Sequence, residues 1–93
     1  MIFEWDEVKN RENRKKHGIW FEEAQTAFGD INARVFFDEK HSEIEDRFIL
    51  LGMSSASRIL IVVHCYRRSN DTIRIISARK VTKKERKAYE KRI

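Results

Sequence analysis

The chain lacks proline altogether and has only three glycines and one cysteine among its 93 residues. Without proline or stretches rich in glycine and serine there is no composition typical of a linker, so we expect one domain, residues 1–93, with short connections. A single cysteine excludes an intrachain disulfide. Cys65 lies in an apolar run, where a free cysteine behaves as a small hydrophobic residue.

Long hydrophobic runs are also absent. The longest apolar stretch, residues 59–63, is too short to span a bilayer. The first six residues, Met-Ile-Phe-Glu-Trp-Asp, lack the basic and apolar regions of a signal peptide, so we expect a cytoplasmic protein that does not contact membranes. No cysteine–histidine spacing resembles a zinc site and no carboxylate cluster resembles a Mg²⁺ site, so we expect neither a metal nor a cofactor.

Charge, in contrast, is abundant. Charged side chains make up 38% of the chain, against about a quarter in an average domain. Lysine and arginine number 20 and aspartate and glutamate 15, which gives a net charge of +5 at pH 7. This excess favours a polyanionic partner, either nucleic acid or an acidic protein, without choosing between them.

The N-terminal third predicts a short strand and then helices. A possible strand at 2–5 precedes a helix at 7–17, which Asp6 can cap at its start and Gly18 can end in a left-handed conformation. Val8 is the only aliphatic residue of this helix, so the helix has little apolar surface to bury. Its basic last turn either complements the helix dipole or forms a patch that faces a ligand.

The middle of the chain predicts a second helix and then a set of hairpins. An apolar stripe at helical spacing favours a helix over residues 20–28. Alternating or apolar runs separated by short polar loops then predict strands over 34–38, 47–53, 58–67 and 72–78. Loops this short allow antiparallel pairing, whereas parallel pairing needs longer crossovers. We therefore expect an antiparallel meander of three to four strands.

The chain ends in a basic helix, expected to run to Ile93, that starts at the capping box Thr82-Lys-Lys-Glu85. The side chains expected to anchor it to the sheet are Val81, Ala88, Tyr89 and Ile93. The predicted fold class is α+β: two N-terminal helices, the meander and a C-terminal helix in a compact sandwich. We expect helices to cover one sheet face and leave the other face free for binding.

The last predicted strand carries arginine at two positions, Arg74 and Arg79, within the apolar segment Arg74-Ile-Ile-Ser-Ala-Arg79. Arginine is almost never fully buried without a partner. We therefore expect either a carboxylate inside the protein or a phosphate outside it, since a guanidinium binds both in a bidentate manner. On a regular strand these two side chains point to opposite faces unless a bulge intervenes.

Two further arginines can join them. Arg67 ends the preceding strand across the hairpin from Arg74, and Arg47 begins an earlier strand, so a cluster of both with either Arg74 or Arg79 is plausible. The alternative is that these arginines serve only in salt bridges to carboxylates, namely Asp38, Glu45 or Asp46.

Groups that could exchange protons are few: His17, His41, His64, Tyr89 and carboxylates such as Glu45. His64 lies in an apolar strand and is expected to be structural. His41 lies in a charged loop and is expected to be solvated. Tyr89 is expected to be a core anchor with its hydroxyl at the edge. No histidine pair has the spacing of a catalytic dyad, so any reaction must depend mainly on arginines and lysines.

Short motifs also follow one another along nearly the whole chain: Phe3-Glu-Trp-Asp6, Lys9, Asn13, Lys16-His17-Gly18-Ile19, Phe21-Glu-Glu-Ala24, Phe28-Gly-Asp30, Asp38, Glu45 with Arg47, Gly52, Arg67, Arg74-Ile-Ile-Ser-Ala-Arg79, Glu85-Arg86 and Tyr89. This ordered set resembles the BrnT family, the toxins of type II toxin–antitoxin systems. The resemblance implies a RelE-like ribonuclease fold and toxicity through RNA cleavage that stops translation. It also implies a BrnA-type antitoxin with a ribbon-helix-helix DNA-binding part, through which the complex represses its own promoter.

In RelE-like enzymes the active site is built from Arg, Lys and Tyr or Glu rather than from a histidine pair. The resemblance therefore implies an endoribonuclease that needs no metal, with seven candidate catalytic residues: Arg47, Arg67, Arg74, Arg79, Glu45, His17 and Tyr89. Lysines on the two basic helices are expected to attract the RNA backbone: Lys15, Lys16, Lys83, Lys84 and Lys87. The alternative is a basic module that binds RNA or an acidic protein without catalysis. A degenerate, inactive toxin is a third possibility, although no motif is broken.

Overall fold

The computed structural model describes residues 1–91, and its elements follow the predicted order. They are β1 (Ile2–Glu4), α1 (Glu7–His17), α2 (Phe21–Ala24), β2 (Arg34–Phe37), β3 (Phe48–Met53), β4 (Ile59–Arg67), β5 (Thr72–Lys80) and α3 (Lys83–Glu90). The second predicted helix is shorter than expected, since the chain continues from α2 as a 3₁₀ segment, Gln25–Gly29. A second 3₁₀ segment, Glu39–His41, follows β2. Ile93, a predicted anchor, lies outside the described residues.

The capping signals predicted from the sequence are confirmed. The Asp6 carboxylate accepts from the backbone N–H groups of Val8 and Lys9, and Gly18 ends α1 with φ of 76°. Thr82 and Glu85 form the reciprocal capping box of α3. Each cap satisfies helix N–H or C=O groups that have no partner within the helix, so the helix boundaries follow from local chemistry.

The sheet has five strands in the order β1-β5-β4-β3-β2, one more than the three to four expected of the meander, because β1 joins it. The hairpins from β2 to β5 are antiparallel, as predicted. β1 adds a parallel edge strand, with Ile2 opposite Thr72 and Glu4 opposite Arg74. Short loops predict pairing only between strands that follow one another in the sequence. The pairing of β1 with β5 joins the two ends of the chain, and no local pattern predicts it.

A β-bulge interrupts the pairing of β4 with β5. Val63 of β4 pairs with Ser77, and the next residue, His64, pairs with Ile75. Ile76 therefore has no partner and is the extra residue of the bulge. The bulge reverses the alternation of side chains between its two ends. Arg74 and Arg79 therefore lie on the same face of the sheet, the exception that the sequence had left open.

Both sheet faces are covered by helices, at least in part. On the first face α2 contributes Phe21 to the larger core cluster, which includes Leu60 and Val62 of β4. On the second face Ile61 of β4 packs with Tyr89 of α3. The expectation of one wholly free face is wrong, because α3 folds back over the second face and leaves only the remainder of that face open.

Helix α1 is attached by polar side chains rather than apolar ones. Its buried residues are Asn10 and Asn13, whereas Val8 is 53% exposed. The Asn13 amide donates to the carbonyl oxygen of Ala78 at 2.9 Å and to that of Ile19 at 2.8 Å. Its own oxygen accepts from the Ala78 N–H at 3.0 Å. Asn13 thus occupies the outer edge of β5 beyond the end of β1, as a neighbouring strand would.

Asn10 joins α1 to α2. Its oxygen accepts from the backbone N–H of Phe21 at 2.7 Å, and its amide donates to Glu7 at 2.9 Å and to Glu22 at 2.8 Å. Trp20, the residue before α2, makes no capping bond with its own side chain. Asn10 therefore caps the start of α2 from the neighbouring helix. In residues 1–91 no helix is long and apolar enough to cross a membrane.

We expect Asn13→Ala to lower the free energy of unfolding by about 3 kcal/mol, because three buried backbone groups lose their partner. Urea denaturation followed by circular dichroism measures the change. Glu12→Ala, on the exposed side of the same helix, is the control and should shift stability by less than about 0.5 kcal/mol. Equal stability of the two variants would contradict this account of how α1 is attached.

Candidate functional site

The open part of the second sheet face contains a concavity of about 400 Å³. Its floor is apolar and formed by isoleucine and valine side chains of β3 to β5. The polar residues around it are Asp38, Lys40, His41, Arg47, Ser77 and Arg79. A larger depression of about 700 Å³ adjoins Glu45, but no arginine, lysine or histidine side chain lines it. The smaller concavity, unlike the larger one, is therefore equipped to bind an anion.

Of the two arginines that line this concavity, Arg47 is the less compensated. Its Nε is buried and has no hydrogen-bond partner among the described residues. Within residues 1–91, Glu45 is the one carboxylate at salt-bridge distance from its guanidinium, and their closest atoms, Nη2 and Oε2, are 3.7 Å apart. Buried donors nearly always have an acceptor. The Arg47 side chain is still 33% exposed, so the rest of the guanidinium is open to a phosphate oxygen.

Arg79 is fixed by α3. Its Nη1 and Nη2 donate to the two carboxylate oxygens of Glu85 at 2.8 and 2.9 Å. Arg79 lowers the pKa of Glu85 from 4.5 to about 2, and Glu85 raises the pKa of Arg79. Both side chains are therefore charged at neutral pH. The Nε side of the guanidinium remains outside this pair and can face a ligand in the concavity.

The third polar group is a histidine–aspartate pair. The Nδ1 atom of His41 lies 3.1 Å from Oδ2 and 3.3 Å from Oδ1 of Asp38. The Asp38 side chain is only 11% exposed, whereas the imidazole is 65% exposed. Since a carboxylate accepts, Nδ1 carries the proton and Nε2 is left as an acceptor that solvent or a substrate can reach.

Arg67 and Glu45 lie next to the concavity without lining it. Glu45 is placed between two arginines, 3.4 Å from Nη2 of Arg67 and 3.7 Å from Nη2 of Arg47. The predicted salt bridges to Glu45 are therefore present. In β4, Arg67 lies on the face that also carries Ile61 of the concavity, so Arg67 extends the cationic surface beyond it.

Arg74 lies on the same face but is paired elsewhere. Its Nη1 donates to Glu4 of β1 at 3.0 Å, and the same carboxylate accepts from Arg68 at 2.8 Å. The partners of the two strand arginines are therefore Glu4 and Glu85, neither of which was among the carboxylates considered from the sequence. Glu4 reaches Arg74 only because β1 pairs with β5, and Glu85 reaches Arg79 only because α3 folds back over the sheet.

Two candidate proton-transfer residues are separated from the concavity. His17 is the last residue of α1 and does not line it. The Tyr89 hydroxyl donates to Asp30 at 2.6 Å in a side chain only 2% exposed, which agrees with the predicted anchor. Burial and the Asp30 carboxylate raise the pKa of Tyr89 to about 12. This phenol therefore remains protonated and closed off from solvent.

His64 is a core residue, as predicted, and fully buried. Its Nδ1 lies 3.1 Å from the carbonyl oxygen of Val62, while its Nε2 has no partner in the described part of the chain. The ring lies among Phe28, Phe48 and Tyr66. Burial lowers the pKa of His64, so the ring is neutral.

The five predicted RNA-binding lysines are all exposed, on two different helices. Lys15 and Lys16 are in the last turn of α1, and the α3 lysines are Lys83, Lys84 and Lys87. The first turn of α3 is next to the concavity, because Glu85 in that turn is bonded to Arg79. The α3 lysines are therefore better placed to guide a polyanion into it.

Sequence reasoning missed the pairing of Asp38 with His41. The signal was their spacing of three residues, which in a 3₁₀ turn brings two side chains to the same side. In a solvated loop, which is what the sequence predicts for this segment, such a spacing brings no side chains together. Among the described residues no group of three or more His, Cys, Asp or Glu side chains is placed to hold a metal ion.

Comparison with known proteins identifies relatives at two levels. A sequence model of the family described as the ribonuclease toxin BrnT of type II toxin–antitoxin systems matches residues 5–85. A 1.1 Å crystal structure of the Brucella abortus ribonuclease toxin BrnT is similar in fold, with a TM-score of 0.69 and 23% sequence identity. The match covers 89% of this chain and 100% of the Brucella chain. No curated protein matches this chain.

The Arg79–Glu85 pair predicts a pH-dependent contribution to stability. A carboxyl whose pKa falls from 4.5 to about 2 on folding stabilises the protein above pH 4.5, and this contribution is lost as the pH falls toward 2. Both side chains are about a third exposed (40% and 30%). We therefore expect Glu85→Gln, which keeps the cap, to cost only about 1 kcal/mol at pH 7.

Urea denaturation at several pH values measures this difference, which should shrink between pH 4.5 and 2. Glu90→Gln is the control, since Glu90 is 55% exposed and its closest contact with Arg86 is 3.9 Å. If the difference in free energy of unfolding between Glu85→Gln and the unmodified protein does not change with pH, the charge of Glu85 is not its cause.

Proposed function

Since the chain belongs to the BrnT family of ribonuclease toxins of type II toxin–antitoxin systems, we propose that it cleaves RNA without a metal ion and thereby inhibits translation. The observation that carries this proposal is Arg47, a partly buried guanidinium whose Nε has no acceptor within residues 1–91. It lines a concavity together with Arg79 on an otherwise apolar sheet surface. The Arg47 side chain is 33% exposed, so a scissile phosphate in the concavity can bind the part of the guanidinium that is not buried.

The chemistry follows from what a metal-free cleavage of RNA requires. The 2′-oxygen attacks the adjacent phosphorus, and negative charge accumulates on the phosphoryl oxygens in the transition state. Fixed cations that are aimed at this charge stabilise it most, because they need no reorganisation during the reaction. Arg79, oriented by Glu85, and Arg47 are the two guanidiniums that line the concavity. We assign them to the scissile phosphate.

The other candidates receive different roles. Arg67 and Arg74 have carboxylate partners and lie on the same sheet face outside the concavity. We assign them to neighbouring phosphates of the RNA. Glu45 is assigned to the alignment of Arg47 and Arg67. His17 and Tyr89 do not line the concavity, so we assign neither of them a proton transfer.

Membership in a toxin–antitoxin family implies an antitoxin partner. We propose a BrnA-type antitoxin whose ribbon-helix-helix part binds promoter DNA, so that this chain reaches DNA only through its partner. The proposed complex covers the cationic face that includes Arg47 and Arg79, which excludes RNA. We further propose that the fold is of the RelE-like type and that the protein acts in the cytoplasm.

We expect Arg47→Ala to reduce the rate of RNA cleavage by at least about 100-fold, as the loss of one transition-state donor does in other enzymes. A labelled RNA is incubated with excess protein in EDTA and the single-turnover rate is measured. Arg86→Ala is the control, because Arg86 is 55% exposed on α3 and outside the concavity. Circular dichroism establishes that both variants are folded.

Three results would contradict the proposal. Full activity of folded Arg47→Ala would remove Arg47 from the reaction, and cleavage that stops in EDTA would refute metal independence. RNA that the unmodified protein binds in stoichiometric amounts and never cleaves would instead identify a basic binding module.

The lysines of α3 are expected to set the dependence of RNA binding on salt. Each lysine that neutralises a phosphate of single-stranded RNA adds about 0.7 to the slope of log affinity against log salt. Replacing Lys83, Lys84 and Lys87 by alanine should therefore lower the slope by about 2. Fluorescence anisotropy at several salt concentrations measures it. The double variant Lys15→Ala, Lys16→Ala should change this slope less for each lysine removed. An equal change per lysine in the two variants would contradict the proposal that RNA contacts the α3 lysines in preference to those of α1.

A further inference from the structure

The geometry points to His41 as the general base of the reaction, with Asp38 as its positioning residue. This inference rests on the proposed ribonuclease function and adds the group that activates the 2′-hydroxyl, a role for which none of the arginines is suited. Arginine remains protonated in proteins and does not accept a proton. A metal-free cleavage that depends on Arg47 and Arg79 therefore needs a separate acceptor within reach of the same phosphate.

His41 is the only histidine of the chain that lines the concavity. His64 is fully buried, and His17 ends α1 away from the concavity. Exposure alone does not make His41 a base, but its partner fixes which nitrogen is available. The Asp38 carboxylate, 3.1 Å from Nδ1, accepts a hydrogen bond from Nδ1–H and leaves Nε2 as the acceptor of a side chain that is 65% exposed.

A closed set of hydrogen bonds fixes this pair relative to the phosphate-binding cation. The backbone N–H of Asp38 donates to the carbonyl oxygen of Arg47 at 2.8 Å. The Ser42 hydroxyl donates to the carbonyl oxygen of Asp38 at 2.5 Å and accepts from the backbone N–H of Arg47 at 3.0 Å. Asp38, Ser42 and Arg47 are thereby joined in one ring of hydrogen bonds, in which Ser42 takes part through its hydroxyl. His41 belongs to the 3₁₀ turn, Glu39–His41, enclosed by this ring.

The proposed step balances without a further reagent. Nε2 of His41 takes the proton of the 2′-hydroxyl, and the 2′-oxygen forms a bond to phosphorus. The bond from phosphorus to the 5′-oxygen breaks, and the leaving oxygen takes a proton from water. The products are a 2′,3′-cyclic phosphate and a 5′-hydroxyl, and the imidazolium returns its proton to solvent. Arg47 and Arg79 stabilise the phosphoryl oxygens throughout.

The first test compares His41→Ala with Glu39→Ala in the single-turnover cleavage assay. Glu39 is exposed in the same 3₁₀ turn but does not line the concavity. We expect His41→Ala to lose between about 10² and 10⁴ in rate, with unchanged RNA affinity by anisotropy. Imidazole added to the buffer should restore at least a tenth of the lost activity. Glu39→Ala should cleave at the rate of the unmodified protein.

Asp38→Asn tests the positioning role. An asparagine amide can donate to Nδ1, which would move the imidazole proton to Nε2 and remove the acceptor. We expect a loss of at least about tenfold in rate with unchanged RNA affinity, by analogy with other positioned histidines. A folded Asp38→Asn variant with full activity would overturn the assignment of Asp38.

A modified substrate separates a base from an acid. When sulfur replaces the bridging 5′-oxygen, the leaving thiolate needs no proton, so a missing general acid no longer matters. The defect of His41→Ala should persist on this substrate if His41 activates the 2′-hydroxyl. A defect that disappears would overturn the role as a base. Full activity of His41→Ala on ordinary RNA, or a loss that imidazole does not restore, would also overturn it.

The outcome for the unmodified protein distinguishes failure of the proposed ribonuclease function from failure of the role of His41. If it does not cleave RNA at all, the proposed function fails, and the role of His41 fails with it. If it cleaves RNA while His41→Ala is equally active, only the inference about His41 fails.

Discussion

The fold depends on the carboxamide of Asn13 at the outer edge of β5. β1 pairs only with residues 72–74 of that strand, so the remaining edge needs another partner for its backbone groups. Asn13 supplies both a donor and an acceptor to Ala78. Asn10 attaches the same helix to α2 by accepting from the backbone N–H of Phe21. A helix with almost no apolar surface is thus placed by directional bonds. Such bonds specify its position more narrowly than an apolar stripe would.

The second constraint is the bulge at Ile76. By reversing the alternation of β5 it places Arg74 and Arg79 on one face, and Arg67 of β4 joins them there. Three guanidiniums on one surface repel one another unless carboxylates intervene. Glu4, Glu45 and Glu85 intervene, each from a different part of the chain. The cationic face therefore exists only because β1 and α3 pack where they do.

Local signals in the sequence predicted the caps of α1 and α3, the strands of the meander and the core roles of His64 and Tyr89. Pairing of β1 with β5 and the bulge depend on contacts between distant residues, and no local pattern encodes them. The site was predicted in part. The chemistry of arginine indicated four candidates, Arg47, Arg67, Arg74 and Arg79, and did not distinguish the two that line the concavity. The segment that holds His41 was interpreted as a loop, and a loop gives no reason to compare side chains three residues apart.

The ring of hydrogen bonds through Asp38, Ser42 and Arg47 also links the site to the edge of the sheet. It begins where β2 ends, and β2 has only β3 as a neighbour. Edge strands open more readily than central ones, without unfolding of the whole domain. A transient opening of β2 would separate Asp38 from Arg47 while the core around Leu60 stays intact. The rates of amide hydrogen exchange at the site and in the core can therefore differ widely. Substitutions in β2 can alter the exchange rate at the site while leaving that of the core unchanged.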